Sequence, residues 1–206
     1  DRDKEWCNSQ LAETCLTRFH LQAYEVFQHL DTTERGSLSA QDMRGLVFVD
    51  FIDKNRCYRE TSDLNALQNA VEGLLSDYNA QSKVPLTLVL FTFAIEHIAR
   101  ICRLLRMPGG NALLIGVGGS GRQSLTRLAA FISGCRVFQI GITKAYTNAE
   151  WREDLKNVLQ AAGTGADPLV FLFSDTQIKN ETFVEDINNI LNSGEVPNLF
   201  ANDERV

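Results

Sequence analysis

Leu113-Leu114-Ile115-Gly116-Val117-Gly118-Gly119-Ser120-Gly121-Arg122-Gln123-Ser124-Leu125-Thr126-Arg127-Leu128 decides how this chain is read. A short apolar run, Ala112 to Ile115, enters a glycine-rich bend. The bend opens into a helical pattern carried by Leu125, Leu128 and Ala129. The expected order is strand, loop, helix. Gly116, Gly118, Gly119 and Gly121 let the backbone take up positive φ and approach a ligand closely. Successive N–H groups of such a loop converge as an anion-binding nest, and the positive end of the following helix adds to it. Both glycines of the phosphate-loop pattern GxxxxGK[ST] are present, as Gly116 and Gly121. Arg122 stands at the lysine position and Gln123 at that of the magnesium-binding Ser/Thr. Arginine keeps the positive charge as a planar fork, so attraction for phosphate survives with altered geometry. Gln123 offers magnesium no hydroxyl, and Ser124 lies about 100° further round the helix.

A phosphate-binding loop needs an acid at the end of a neighbouring strand to organise magnesium and water. Residues 168–175, Pro-Leu-Val-Phe-Leu-Phe-Ser-Asp, supply one. The apolar run Leu169–Phe173 suits a fully buried parallel strand. Asp175 sits at its carboxyl end, where open α/β sheets place their ligands. The interval from Gly121 to Asp175 has room for a helix, a strand and a second helix. Asp175 is the candidate magnesium ligand. The next residue is Thr176, and a threonine hydroxyl is too weakly acidic to act as a general base near neutral pH. The site therefore reads as built to hold a nucleotide, and whether it hydrolyses one is left open by these residues. A glycine turn without a ligand is the plainer alternative.

Composition narrows the rest. The chain has 206 residues, 44% of them hydrophobic, enough for a packed core. A net charge of −6 argues against nucleic-acid binding by phosphate neutralisation. Arg100, Arg103 and Arg106 share one helix and read as a solvated face. The longest apolar stretch, Val84 to Ile95, is too short to span a membrane, and no secretory leader pattern is present. The five cysteines (Cys7, Cys15, Cys57, Cys102, Cys135) have no metal spacing, which predicts reduced, buried thiols inside a cell. His20, His29 and His97 stand singly and read as structural.

Along the chain, Leu11, Cys15, Phe19, Ala23, Phe27 and Leu30 predict one long amphipathic helix over 3–30. A polar turn is expected over 31–39, a short helix over 41–51 and a charged loop over 54–61. Leu64, Leu67, Val71, Leu74, Leu75 and Tyr78 predict a second amphipathic helix, and the pattern from Leu86 to Leu105 a third. Cys135–Ile140 reads as a strand. Thr147 with Glu150 and Thr182 with Glu185 have capping-box spacing, each opening a helix; Gly163 with Gly165 and Gly194 close them. Strand–helix alternation from residue 111 implies a parallel sheet with right-handed crossovers, preceded by a helical region.

The runs GNALLIGVGGSGRQSLTRLAAFISG (110–134), AYTNAEWREDLKNVLQAAG (145–163) and FLFSDTQIKNETFVEDINNILNSGEVPNLF (171–200) together resemble axonemal dynein heavy chains. FAIEHIARICRLLRMPGG (93–110) is similar to the helix that leads into the fourth AAA+ module of their ring. The resemblance covers roughly residues 40–204. It implies an α/β P-loop NTPase fold of AAA+ type, with flanking helices on a parallel sheet. It divides the chain into a linkage (1–40), a helical lead-in (41–110) and a partial AAA+ core (111–206). Because the sequence ends at Val206, one central strand of the sheet is expected to be lacking. The resemblance further implies a module that binds ATP or ADP in a regulatory or structural role, with weak or no hydrolysis, inside an ATP-driven microtubule motor of cilia. Gly116, Gly119, Ser120, Gly121, Arg122, Gln123 and Ser124 match its phosphate loop, Asp175 its Walker B aspartate, and Thr176 its glutamate position. Val84, Pro85 and Leu86 match the segment that contacts adenine. The implied partners are neighbouring AAA+ modules, dynein intermediate and light chains, and microtubules, in the cytoskeleton of the axoneme. Two other readings stand beside it: a vestigial module without ligand, and a free-standing kinase-like enzyme.

Overall fold

The computed structural model describes residues 2–31, 34–39, 42–53, 55–61 and 63–201. The chain forms two compact units, Asp1–Leu64 and Asn65–Val206.

In the first unit, α1 (Arg2–Thr14) runs into a π-helical turn, Cys15–Phe19, and then α2 (Ala23–Phe27) and a 3-10 turn, Gln28–Leu30. The single helix expected over 3–30 is therefore broken. Thr14 and Thr17 donate their hydroxyls to the carbonyls of Gln10 and Glu13, four residues back. Such bonds bend helices, and His20 closes the turn at φ 58°. The helix expected over 41–51 yields only a 3-10 turn, Asp42–Gly45, followed by a strand, β1 (Val47–Val49). Val-Phe-Val is β-branched and aromatic, which favours a pleated surface. β1 pairs antiparallel with β2 (Arg59–Thr61), Val47 opposite Thr61, so the expected charged loop ends in a strand. The region before residue 111 is thus not purely helical. Thr32, Thr33, Gln41 and Lys54 belong to the expected turn, helix and loop and lie outside the described residues, as do Asp1, Ala40, Ser62 and residues 202–206. His29 meets Glu60 at 2.8 Å, a structural pairing as expected. Of the cysteines, Cys15 and Cys102 are buried, but Cys7 and Cys57 are exposed.

The second unit is led by α3 (Leu64–Gln81), as its apolar stripe predicts. α4 (Thr92–Leu105) starts later than expected: residues 85–91 take no regular form, and the Asn79 side chain engages both main-chain groups of Leu86. α4 packs on α5 (Arg122–Ile132) through fully buried Ile98 and Leu128. There follow β3 (Arg136–Phe138), α6 (Asn148–Thr164), β4 (Leu169–Phe171) and α7 (Glu181–Ser193). β3 and β4 run parallel with Val137 opposite Val170, the crossover helix α6 lying between them in sequence.

Thr147 caps α6 as its spacing predicts: its N–H donates to Glu150 at 2.7 Å, and its hydroxyl takes the Glu150 N–H at 3.3 Å. Gly163 stays within the helix, and Gly165 follows its end. α7 opens two residues earlier than expected, with Asn180 rather than Thr182 at the N-cap position, and stops at Gly194 with φ 75°. The core beneath these elements is Ile140, Trp151, Leu155, Phe183, Val196 and Leu199. Trp151 and Phe183 stack at 4.2 Å between ring centroids, and the indole N–H donates to buried Asp186 at 2.9 Å. That bond satisfies both polar groups, which would otherwise be costly to bury.

Candidate functional site

The glycine loop joins α4 to α5. At the end of α4 the Gly110 N–H donates to the Met107 carbonyl at 3.0 Å. A Cβ on Gly110 would lie 2.1 Å from the Leu104 carbonyl oxygen, so only glycine allows this close turn into the loop. Residues 112–117 follow. Among the described residues they join no ladder, so the strand expected at 112–115 is not formed. Leu113, Ile115 and Val117 are 85%, 86% and 79% exposed. These residues have strand-forming side chains, but a strand exists only through a partner.

Of the four glycines expected to reach positive φ, Gly119 and Gly121 do so, at 79° and 75°, while Gly116 and Gly118 do not. Gly121 is the N-cap of α5, and no side chain caps this end. The first N–H groups of α5, from Arg122, Gln123 and Ser124, thus have no intrahelical partner and no capping side chain. The positive end of the helix dipole coincides with them. An anion is the natural partner of such an arrangement.

Arg122 is placed unexpectedly. Its guanidinium donates to the carbonyls of Leu114 and Val117, each at 3.1 Å, and so braces the loop on its own backbone. The fork thereby satisfies the Leu114 carbonyl and shares that of Val117 with the Ser120 N–H. A cavity of about 200 Å³ lies between His97 and Ile101 of α4, Leu113–Ile115 and Leu125, with Arg122 in its wall. Ser120 closes a turn onto the Val117 carbonyl, and its hydroxyl oxygen lies 3.4 Å from where a Cβ on Gly116 would be. Gln123 is exposed and faces Gln139 at 3.5 Å. Gly118 and Ser124 complete the loop without a side-chain hydrogen bond among the described residues.

The lead-in segment reaches the loop through Leu88, whose Cδ2 lies 3.8 Å from a Cβ built on Gly121. The three residues singled out there, Val84, Pro85 and Leu86, are closed off at the backbone. The Val84 N–H is bound by Ser82 Oγ at 3.1 Å and the Leu86 N–H by Asn79 Oδ1 at 2.7 Å. Pro85 has no N–H. The trio offers a ligand mainly apolar side chains.

Asp175 begins a 3-10 turn, Asp175–Gln177, just beyond β4. Its carboxylate is exposed and accepts the Thr176 N–H at 3.0 Å. Among the described residues no hydrogen bond or ion pair joins it to the glycine loop. Its place is fixed by Gln177, which sequence reasoning missed. That buried amide donates to the Ile140 carbonyl at 2.5 Å, while its oxygen accepts the Ser174 N–H at 2.8 Å. One side chain therefore ties the ends of β3 and β4 together beneath Asp175. Ser174 and Gln177 have capping-box spacing, the one sequence signal that could have found it.

Comparison with known proteins adds the lineage. The family model described as P-loop containing dynein motor region D4 matches residues 86–206. Mouse dynein axonemal heavy chain 3 is 45% identical over 98% of this chain, which spans 5% of that protein. Mouse dynein axonemal heavy chain 2 is 52% identical over 77% of the chain, covering 4% of its own length. The Chlamydomonas reinhardtii dynein-1-beta heavy chain, of the flagellar inner arm I1 complex, is 45% identical over 98% of the chain and 4% of its own length. The chain thus corresponds to about one twentieth of these relatives. With the glycine loop inside the matched residues, the chain belongs to the family of P-loop containing dynein motor regions D4.

Proposed function

We propose that this chain is the nucleotide-binding core of the fourth AAA+ module of an axonemal dynein heavy chain, with residues 1–40 as linkage and 41–110 as lead-in. The reading rests above all on one observation. The uncapped N-terminus of α5 is entered through two left-handed glycines, Gly119 and Gly121. ATP or ADP would lay its phosphates on the amides of Gly116, Gly118, Gly119, Ser120, Gly121, Arg122, Gln123 and Ser124. Val84, Pro85 and Leu86 would give the base an apolar wall. Bound nucleotide would stabilise the folded module by mass action.

The chemistry of the donor set favours holding over cutting. Magnesium meets only part of its usual set: Asp175 and the phosphates could hold it through water, but Gln123 brings no hydroxyl. Thr176 supplies no base for an attacking water. The module then acts as a regulatory or structural element of the ring, with weak or no hydrolysis. The parent protein would be the ATP-driven motor, working on microtubules in the cytoskeleton of the cilium axoneme. Its partners there would be neighbouring AAA+ modules and the intermediate and light chains.

The test is a reconstruction of the intact heavy chain at saturating ATP. An adenine nucleotide is expected against Gly116–Ser124, and Gly121→Val should remove it. A vacant loop at saturating ATP overturns the reading and favours a vestigial module.

A further inference from the structure

We infer that Asn79, on α3, is a positioning residue of the nucleotide site, an inference that rests on the nucleotide reading above. Its side-chain amide holds one residue by both main-chain groups. Nδ2 donates to the Leu86 carbonyl at 3.0 Å, and Oδ1 accepts the Leu86 N–H at 2.7 Å. Two residues further on, Leu88 lies against Gly121 of the loop. Asn79 is itself anchored. Its neighbour Tyr78 meets Phe131 of α5 edge to face, with ring centroids 5.4 Å apart. α5 carries the loop's terminal amides, so a closed circuit runs from the loop through α5, α3 and Leu86 back to the loop.

Ser82 holds Val84 by both main-chain groups and Leu90 is buried, but between them little besides Asn79 fixes the segment. Residues 83–91 form neither helix nor strand, and Val84 and Val89 are largely exposed. With the N–H groups of Val84 and Leu86 engaged and none on Pro85, a main-chain donor from this stretch to a base would come from Thr87 or Leu88. Neither of those N–H groups has a partner among the described residues, and their position follows from Leu86. A released segment would hold the ligand-ready arrangement only part of the time, and apparent affinity falls by that fraction. The phosphate end differs. It depends on the glycines and the N-terminus of α5, none of which touches Asn79. Asn79 therefore serves base binding and not phosphate binding.

The experiment is hydrogen–deuterium exchange of the peptide spanning residues 113–128 in the full-length heavy chain. It is titrated with ADP and, separately, with inorganic pyrophosphate. Asn79→Ala should raise the ADP concentration for half-protection roughly tenfold and leave the pyrophosphate titration unchanged. Asn79→Asp keeps the acceptor for the Leu86 N–H, loses the donor, and should fall between. A merely structural role would shift both ligands together; that result, or an unchanged ADP titration, overturns the inference. Should Asn79→Ala not fold, Asn79→Asp decides by the same criterion, an ADP-only shift supporting it and a common or absent shift overturning it. A wild-type peptide protected by neither ligand defeats the nucleotide reading itself, and is told apart because no variant is needed to see it.

Discussion

The surroundings of Trp151 and those of Gly116 belong to one compact unit and are built on opposite principles. Around Trp151, two rings stack, the indole N–H is satisfied by Asp186, and both aromatic side chains are fully buried. Around Gly116, the apolar side chains of Leu113, Ile115 and Val117 stand in solvent, and a single arginine braces two carbonyls. The first region derives its stability from packing and carries no candidate chemistry. The second carries the candidate chemistry on a segment with almost no packing of its own. Binding segments are commonly drawn from the least stable part of a fold, because their donors must stay open for a ligand.

The sharpest way to break this contrast is Trp151→Ala. It should cost about 3–5 kcal/mol, the range for emptying an aromatic core site, and it also strands the buried Asp186 carboxylate. Denaturant unfolding followed by circular dichroism measures it. A loss below about 1 kcal/mol would mean that the stacked pair is not what holds α6 and α7 together.

Gly110→Ala comes next and probes the other region at its entrance. The new methyl group would meet the Leu104 carbonyl, which is backbone and cannot rotate away. The expected cost is about 2 kcal/mol, read in the same unfolding experiment. Exchange at residues 112–117 should quicken at the same time. An unperturbed variant would show that α4 does not set the path into the loop.

Arg122→Ala tests the brace. Removing it frees the carbonyl of Leu114 and leaves that of Val117 to the Ser120 N–H alone, and both are near solvent, so stability should fall by only about 1 kcal/mol. Exchange over the loop should rise more than that figure suggests, since Arg122 supplies the side-chain hydrogen bonds that brace it and the Ser120 turn alone remains. If Arg122→Lys preserves the slow exchange, a point charge suffices and the fork geometry is irrelevant.

The same contrast explains what could be read from the sequence. Local signals survived: the left-handed glycines, the start of α5, the Thr147–Glu150 cap and the stop at Gly194 each depend on neighbours a few residues away. Signals that need a distant partner did not. Ala112–Ile115 has strand-like composition but no ladder. The stripe over 3–30 is continuous in sequence, yet the helix turns π-helical at Cys15–Phe19 and closes at left-handed His20. In the candidate site, the loop and Asp175 were legible as residue types. The clamps that place them were not, because Gln177 reaches Ile140 and Asn79 reaches Leu86 through side chains that no periodic pattern marks.

The smallest expected effect sharpens the comparison from the packed side. Thr147→Ala removes the hydroxyl that caps α6 and should cost about 0.5–1 kcal/mol. Its reciprocal partner gives a pH signature. The Glu150 carboxyl is held below the usual carboxylate range, first by the Thr147 N–H, then by the Thr147 hydroxyl, with Lys179 adding a weaker attraction. A carboxyl whose folded pKa is depressed stabilises the fold above its unfolded pKa, and that contribution is lost as pH falls through the folded value. The thermal stability of the wild type should therefore fall as pH drops below the ordinary glutamate range. In Thr147→Ala the N–H bond to Glu150 persists and the hydroxyl bond does not. The acid-induced loss should shrink without vanishing, whereas Glu150→Gln should remove this component altogether. An identical acid profile in all three proteins would show that the cap contributes geometry to α6 but no charge-dependent stability.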